Sequence, residues 1–311
     1  MSIEVAPYCL KNSTMTRYGT LLKFQFEKNR IGFADCHAWP EWGDENLIDQ
    51  LDKLDQGILT SQTRCSLECA QFDALGRSGR HLLLDEEKIP LSHYLIVELS
   101  KWTSKDVKRI IQEGFTHVKV KVGRKPEEEI SQLIHLFYQQ PLQLRLDANE
   151  KFSFEDCQDF LQQLQSLHSQ IEFIEDPCPF HANEWKVLQQ QGWILACDRQ
   201  VKQGMYQPDS AKILIMKPAI HSFSEWKLIP HQHWIVTSYM AHPLDQLWAA
   251  YIASSVDPKK KNVHGLLSHY VYENNAFSQE LTVKGPHFSV PKGVGFGFNQ
   301  QFMNLDWQPW N

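Results

Sequence analysis

From about residue 90 onward the chain alternates short apolar runs with amphipathic stretches of about 12 to 20 residues. The runs are HYLIVEL (93–99), HVKVKVG (117–123), LQLRLDAN (142–149), IEFIEDP (171–177), GWILACD (192–198), AKILIMKP (211–218), HWIVTS (233–238) and NVHGLL (262–267). Strands buried on both faces read this way, and a succession of strand then helix commits a chain to a parallel sheet covered by helices. Eight such runs match the strand count of a closed β/α barrel. Between them, SKDVKRIIQEG (104–114) predicts a helix with Ser104 at its N-cap and Gly114 just past its end, and FEDCQDFLQQLQSL (154–167) predicts another. Upstream, 20–29 and 30–39 alternate like two half-buried strands and 44–76 has helical spacing, which predicts a small α+β unit ahead of the barrel.

A polar side chain on a barrel strand is costly unless it is used, and barrel sites form at the C-terminal ends of strands. Here the second run carries Lys119 and Lys121, and the third to sixth end in Asp147, Glu175, Asp198 and Lys217. From Lys121 the successive spacings are 26, 28, 23 and 19 residues, each about one βα unit, so these side chains form one ring at one mouth. Three carboxylates aimed at a common volume repel one another unless a cation sits among them. All-oxygen ligation without His or Cys selects Mg2+ or Mn2+ over zinc. The plainer use of each acid singly is to cap the helix that follows its strand. Lys119 and Lys121 share a strand face, so each lowers the other's pKa and brings a lysine toward the range of a general base. Lys217, four strands on, faces Lys121 across the mouth. A substrate held between two amines and a cation suits removal of a proton α to a carboxylate.

Composition narrows the partners. A net charge of −6, with no basic run beyond Lys259-Lys260-Lys261, leaves no footprint for nucleic acid or an anionic membrane. With 42% hydrophobic residues and ten Trp the chain is not disordered. No stretch approaches the apolar length of a membrane span, and MSIEVAPYCL has neither a basic nor an apolar leader region, so a cytoplasmic protein is expected. The seven cysteines (9, 36, 65, 69, 157, 178, 197) are odd in number and scattered, which predicts reduced, packed thiols. Of fourteen histidines, His231 and His233 lack a third partner for a metal, while His242 and His269 follow the last two strands, where they can line the site.

The Lys-x-Lys at 119–121, the acids at 147, 175 and 198, and Lys217 resemble the enolase superfamily, within it the muconate-lactonizing-enzyme-like subgroup, over nearly the whole chain. The resemblance implies an α/β fold, a (β/α)7β TIM-like barrel with an N-terminal α+β capping domain. The expected division is a cap of residues 1–90, a barrel of 91–285 and a C-terminal segment of 286–311 that packs back on the cap. It further implies Asp147, Glu175 and Asp198 as ligands of Mg2+ (or Mn2+), Lys121 as the catalytic lysine, Lys119 as its modulating neighbour and Lys217 as the opposing one. LRLDAN and MKP (216–218) most resemble the o-succinylbenzoate synthase family. Its members dehydrate the dicarboxylate 2-succinyl-6-hydroxy-2,4-cyclohexadiene-1-carboxylate (SHCHC) in menaquinone biosynthesis by syn elimination. That implies Lys121 as both proton acceptor and donor, Lys217 as the charge beside the enediolate, and Asn149, the Ser238 hydroxyl and the Gly265 backbone as substrate contacts. The cap loops at Arg17-Tyr18-Gly19 and Trp39-Pro40-Glu41-Trp42 are expected to close the mouth, and Arg145 shares a strand face with Asp147. The family usually has an acid directly after the third ligand, where this chain has Arg199. The last strand lacks the Asp-x-Asp that would hold a dipeptide's ammonium. Two alternatives stand beside this reading. One is an N-acylamino acid racemase or another muconate-cycloisomerase-like enzyme, the other a non-catalytic binding barrel.

Overall fold

The computed structural model describes residues 2–202, 211–226 and 233–310, without the side chains of Lys28, Lys202 and His269. His231 lies outside the described residues, as does the side chain of His269.

The chain begins with a strand that the sequence reading did not include, β1 (Ser2–Lys11), paired antiparallel with β2 (Thr16–Gln25), which pairs in turn with β3 (Ile31–Cys36). The turn between β1 and β2 is set by Asn12, whose Oδ1 accepts from the Thr14 and Met15 amides at 2.9 Å. Helices α1 (Leu47–Asp55) and α2 (Ser61–Ser78) follow, α2 opening with a capping box between Thr60 and Thr63. The α2 helix lies so close on β3 that a Cβ at Gly32 would meet the Ala70 carbonyl oxygen at 1.9 Å.

The barrel is a seven-stranded parallel sheet in sequence order: β4 (Tyr94–Ile96), β5 (His117–Lys121), β6 (Gln143–Asp147), β7 (Ile171–Glu175), β8 (Leu195–Cys197), β9 (Ile213–Met216) and β10 (His233–Val236). Helices α3 (Ser104–Gln112), α4 (Pro126–Phe137), α5 (Phe154–Gln163), α6 (Ala182–Gln190), the short α7 (Arg199–Lys202) and α8 (Phe223–Trp226), and α9 (Pro243–Val256) stand among and after these strands. The eighth run does not form a strand. Residues 264–265 instead close the ring through two isolated parallel bridges, Ser92 with His264 and Thr237 with Gly265. Val118, Val120, Leu144, Leu146 and Ile174 pack outward into the main core, while Phe173, Ala196, Ile213, Ile215 and Ile235 form a separate apolar cluster inside the barrel.

Two helix boundaries differ from expectation. Thr103, not Ser104, caps α3, because Thr103 and Asp106 exchange side-chain and backbone bonds as a capping box, and Gly114 follows the end with φ +91°. The α5 helix is capped by Ser153 and ends at Gln163, after which a 3-10 helix runs over Gln165–Gln170.

After a small hairpin of β11 (Val283–Lys284) and β12 (His287–Phe288), the C-terminal residues return to the N-terminal sheet through α10 (Asn299–Met303) and β13 (Gln308–Pro309), which pairs with β1. Asp73 of α2 accepts from the amides of both Phe33 and Phe296 and pairs with Arg77, whose guanidinium also donates to Gly297. All seven cysteines are free, and six of them are buried. Among the described residues no helix is long and apolar enough to cross a membrane.

His242 does not line the site. Its Nδ1 accepts from the Leu244 amide as the N-cap of α9, its ring packs on Tyr8 and Phe277, and its own amide donates to Asp35 of β3. Burial, with the nearby His37, pushes its pKa down to about 3. The unfolded chain, titrating near 6.5, therefore binds the proton first, and this group's contribution falls as pH drops from about 6.5 toward 3. The expected difference between wild type and His242→Asn is a steeper loss in wild type, up to about 1.4 kcal/mol per pH unit in that window. Urea unfolding of both proteins at several pH values measures it. Parallel pH profiles would count against the buried neutral cap.

Candidate active site

The register of the barrel brings the strand-end residues into rows. Lys121, Asp147 and Glu175 are Cα partners on β5, β6 and β7, and Lys119, Arg145 and Phe173 form the row beneath. Asp198, Lys217 and Thr237 each follow the last residue of their strand, β8, β9 and β10. They open on a cavity of about 400 Å3 whose wall includes Lys119, Lys121, Asp147, Asn149, Asp198 and Lys217. Glu175 is also buried at this mouth, but it stands behind Lys119 and not on the wall.

The three lysines differ in their partners. Lys119 Nζ lies 2.7 Å from both carboxylate oxygens of Glu175 and 3.0 Å from Asp147. Lys217 Nζ donates to Asp198. Among the described residues the one carboxylate oxygen near Lys121 Nζ is Asp147 Oδ2, at 3.8 Å. The expected mutual lowering of the two neighbouring lysines is therefore one-sided. Burial pulls Lys119 down, but Asp147 and Glu175 outweigh it and hold its pKa above the ordinary value. Burial lowers Lys121, Asp147 opposes this, and the Lys119 and Lys217 charges add to the lowering. Lys121 is thus the lysine biased toward the neutral amine.

The acids carry the opposite imbalance. Burial raises Asp147, yet Lys119 and Lys121 bring it down to about 2. Glu175 is pushed up to about 7 by burial and by the Asp147 and Asp198 charges, against the pull of Lys119. Asp176, which the sequence reading passed over, is fully buried beside them and raised by burial and by Asp198. Its carboxylate accepts the Asp198 amide at 3.0 Å and the Arg199 amide at 3.2 Å. It thereby holds the backbone under Asp198, while the Arg199 side chain lies 3.5 Å from Glu150. The signal for Asp176 was a second acid directly after a strand-end acid. Asn149, Glu150 and Asp176 all have positive φ (51°, 57° and 42°), left-handed residues concentrated at the rim where neighbouring bonds hold them.

An all-carboxylate donor set matches a hard divalent cation. Four buried acids (Asp147, Glu175, Asp176, Asp198) face three lysines, and the raised pKa of Glu175 marks negative charge that those lysines leave incompletely balanced. As placed, the carboxylates turn to the ammonium groups. Among the described residues no three His, Cys, Asp or Glu side chains stand close enough to hold one ion.

The remaining expected contacts fall out unequally. Asn149 lines the cavity and donates to Asp147 Oδ1 at 2.6 Å. The Ser238 hydroxyl lines it too, 2.6 Å from the Ser268 hydroxyl. The Gly265 amide is not available to a ligand, because barrel closure already gives it to the Val236 carbonyl at 2.9 Å. Arg145 does not touch Asp147. It is fully buried in the lower row, bonded to Glu172 and His93 and stacked over Phe173. From the cap, Trp42 reaches the cavity, its ring 5.7 Å from Lys121 Nζ and 5.9 Å from Lys217 Nζ. Trp39 stacks on Trp42 at 4.1 Å and the Arg17 guanidinium covers Trp39 at 4.0 Å, whereas Tyr18 faces solvent.

Asp176→Ala leaves two buried amides without acceptors and is expected to cost about 2 kcal/mol or more of stability, with loss of activity as Asp198 is released. Urea unfolding and steady-state kinetics report the two effects. Wild-type stability in this variant would mean that the bonds from Asp198 and Arg199 contribute nothing.

Comparison with known proteins follows the same lines. Residues 3–75 match the family described as O-succinylbenzoate synthase, N-terminal domain, and residues 102–207 match the Enolase C-terminal domain-like family. The o-succinylbenzoate synthase of Bdellovibrio bacteriovorus is 30% identical over 99% of this chain and 98% of its own length. Among solved structures, a mandelate racemase/muconate lactonizing protein from Herpetosiphon aurantiacus superposes with a TM-score of 0.77 at 16% identity, covering 96% of this chain and 97% of that one. The L-Ala-D/L-Glu epimerase of Bacillus subtilis gives 0.74 at 15%, covering 96% and 98%. These two likenesses carry the fold: a parallel barrel with an N-terminal antiparallel sheet. The chain is an enolase-superfamily enzyme and belongs to the o-succinylbenzoate synthase family.

Proposed function

We propose that this enzyme is a Mg2+-dependent carbon–oxygen lyase that converts SHCHC to o-succinylbenzoate in menaquinone biosynthesis, acting in the cytoplasm. The organisation used is a cap of residues 1–90, a catalytic barrel of 91–285 and a C-terminal segment of 286–311. Asp147, Glu175 and Asp198 would hold the ion once Lys217 and Lys119 yield their carboxylates. Mg2+, with Mn2+ as a substitute, supplies positive charge opposite a substrate carboxylate when bound there.

The observation that carries the reading is the inequality of the lysines. Lys121, partly buried and without a close carboxylate among the described residues, is the amine suited to take the proton α to the ring carboxylate. Breaking that C–H bond gives an enediolate and the Lys121 ammonium. The ammonium then protonates the departing hydroxide on the same face, so the C–O bond breaks, water leaves and the ring becomes aromatic. The Lys119 charge two residues away on the same strand face keeps Lys121 from being the preferred site of charge. Lys217, at the sixth strand end across the cavity from Lys121, is placed to stabilise the enediolate. Asn149 and Ser238 orient the substrate. The Trp42 ring closes the mouth above both lysines.

Dehydration of SHCHC by wild type, with kcat lowered about 1000-fold in Lys121→Ala and strongly reduced in Lys217→Ala and Asp147→Ala, is the expected result. Chelation should remove activity and added Mg2+ restore it. Full activity in Lys121→Ala would sink the mechanism. Exchange and racemisation of N-succinyl amino acids in heavy water with no SHCHC turnover would replace the lyase by a racemase.

A further inference from the structure

The charged side chains of the cavity sit at the strand ends from β5 to β9. The rest of its wall, from β4, the end of β10 and the closing residues 264–268, is lined by neutral groups: His93, Thr237, Ser238, Gly265 and Ser268 among them. A dicarboxylate has two anionic ends, and only one can lie at the lysines and the acids that would hold a cation.

His93 stands directly before β4 and is buried. Its Nδ1 lies 3.0 Å from Arg145 Nη1. A guanidinium has only donors, so Nδ1 is the acceptor and its lone pair is occupied by the Arg145 N–H. Arg145 cannot turn away, because its Nε and Nη2 are held by Glu172 at 2.5 and 3.2 Å and the side chain is fully buried. Burial and the Arg145 charge keep the imidazole well below its ordinary pKa, so the ring is neutral and its one proton is on Nε2. Nε2 has no hydrogen-bond partner among the described residues, and the edge carrying Cε1 and Nε2 lies against Gly265 on the cavity wall, 2.8 and 2.9 Å from where a Cβ would stand. The Thr237 methyl Cγ2 flanks the same point at 2.7 Å, and the buried Thr237 hydroxyl has no partner among the described residues. Two residues that each keep a polar atom without a partner among the described residues thus stand side by side on the cavity wall, next to a glycine that leaves His93 Nε2 room.

We propose that Arg145 fixes His93 as an Nε2–H donor, and that His93 with Thr237 receives the second carboxylate of the substrate, as a positioning pair away from the reacting atoms. This rests on the dicarboxylate reading above. Neutral donors suit the task because a cation there would compete with the lysines for the reactive end of the substrate.

The test compares binding of o-succinylbenzoate with that of 2-butanoylbenzoate, which lacks the tail carboxylate, by calorimetry on wild type, His93→Asn and His93→Gln. Asn keeps an acceptor for Arg145 but does not reach the cavity, whereas the Gln amide extends to the position of Nε2. Wild type is expected to prefer the dicarboxylate about 10-fold or more, His93→Asn to lose most of that preference with a raised KM and little change in kcat, and His93→Gln to recover part of it. An undiminished preference in a folded His93→Asn protein, or none in wild type, overturns the proposal while SHCHC turnover leaves the lyase reading standing. Absence of turnover with no binding of the dicarboxylate is instead the failure of that reading. Nitrogen-15 spectra, with the His93 signal assigned by its absence from His93→Gln, test the relay without substrate: a proton on Nδ1 would overturn it.

Discussion

A buried ammonium, Lys119 Nζ, lies between the carboxylates of Asp147 and Glu175 inside the barrel, and the site is arranged around it. Burying three ions costs several kcal/mol each unless they satisfy one another, and here the 2.7 and 3.0 Å contacts do so. The consequence reaches the neighbour two residues on. With Lys119 holding the carboxylates, Lys121 is left with one distant acid and two repelling cations, so adjacent lysines of identical type become different chemical groups. The same logic runs in the row that Lys119 shares with Arg145 and Phe173, where Arg145, Glu172 and His93 form a second set and Phe173 covers the guanidinium. Polar groups in the interior occur in sets whose members restrain each other's protonation and direction.

The N-terminal unit completes the cavity by a stack and by hydrogen bonds. Trp39 donates from its indole to the Tyr239 carbonyl, and the Tyr239 hydroxyl donates to Asp44, which fastens the loop carrying Trp42 to the end of β10. Behind it Asp35 accepts the amide of His242 at the start of α9. The cap is itself held from the far end of the chain, through β13 on β1 and through the stack of Phe302 on Phe33 at 4.0 Å. A residue near position 300 therefore supports a sheet begun at position 2, which in turn presents a tryptophan over lysines at 121 and 217.

Much of this was legible because barrel strands are short, evenly spaced and apolar on both faces, so a polar residue at a strand end stands out against its neighbours. Lys119, Lys121, Asp147, Asn149, Asp198 and Lys217 are found together at one mouth for that reason. Other features were invisible where a residue's role depends on what another segment does with it. Gly265 sits in the right place, but closure of the ring consumes its amide. The run at 262–267 reads as a strand and makes only two bridges, since it needs to span no more than the gap between β4 and β10. Ser104 and Thr103 are both good caps, and the choice went to the one whose third following residue, Asp106, could reciprocate. Asp176 and His93 were passed over because a buried acid after a strand and a histidine at a strand start are common in a core.

The sequence by itself determined the alternation of strand and helix, the order of ionisable residues around the mouth and the family to which they point, because these depend on periodicity and residue type along a local stretch. Only the tertiary structure decided which lysine is paired and which is left poised, which amides are already used, and which nitrogen of His93 carries its proton. Those are outcomes of distance. The difference between 3.0 Å for Lys119 and 3.8 Å for Lys121 in their approach to Asp147 changes the balance of burial against charge, and nothing in the local order of residues encodes it.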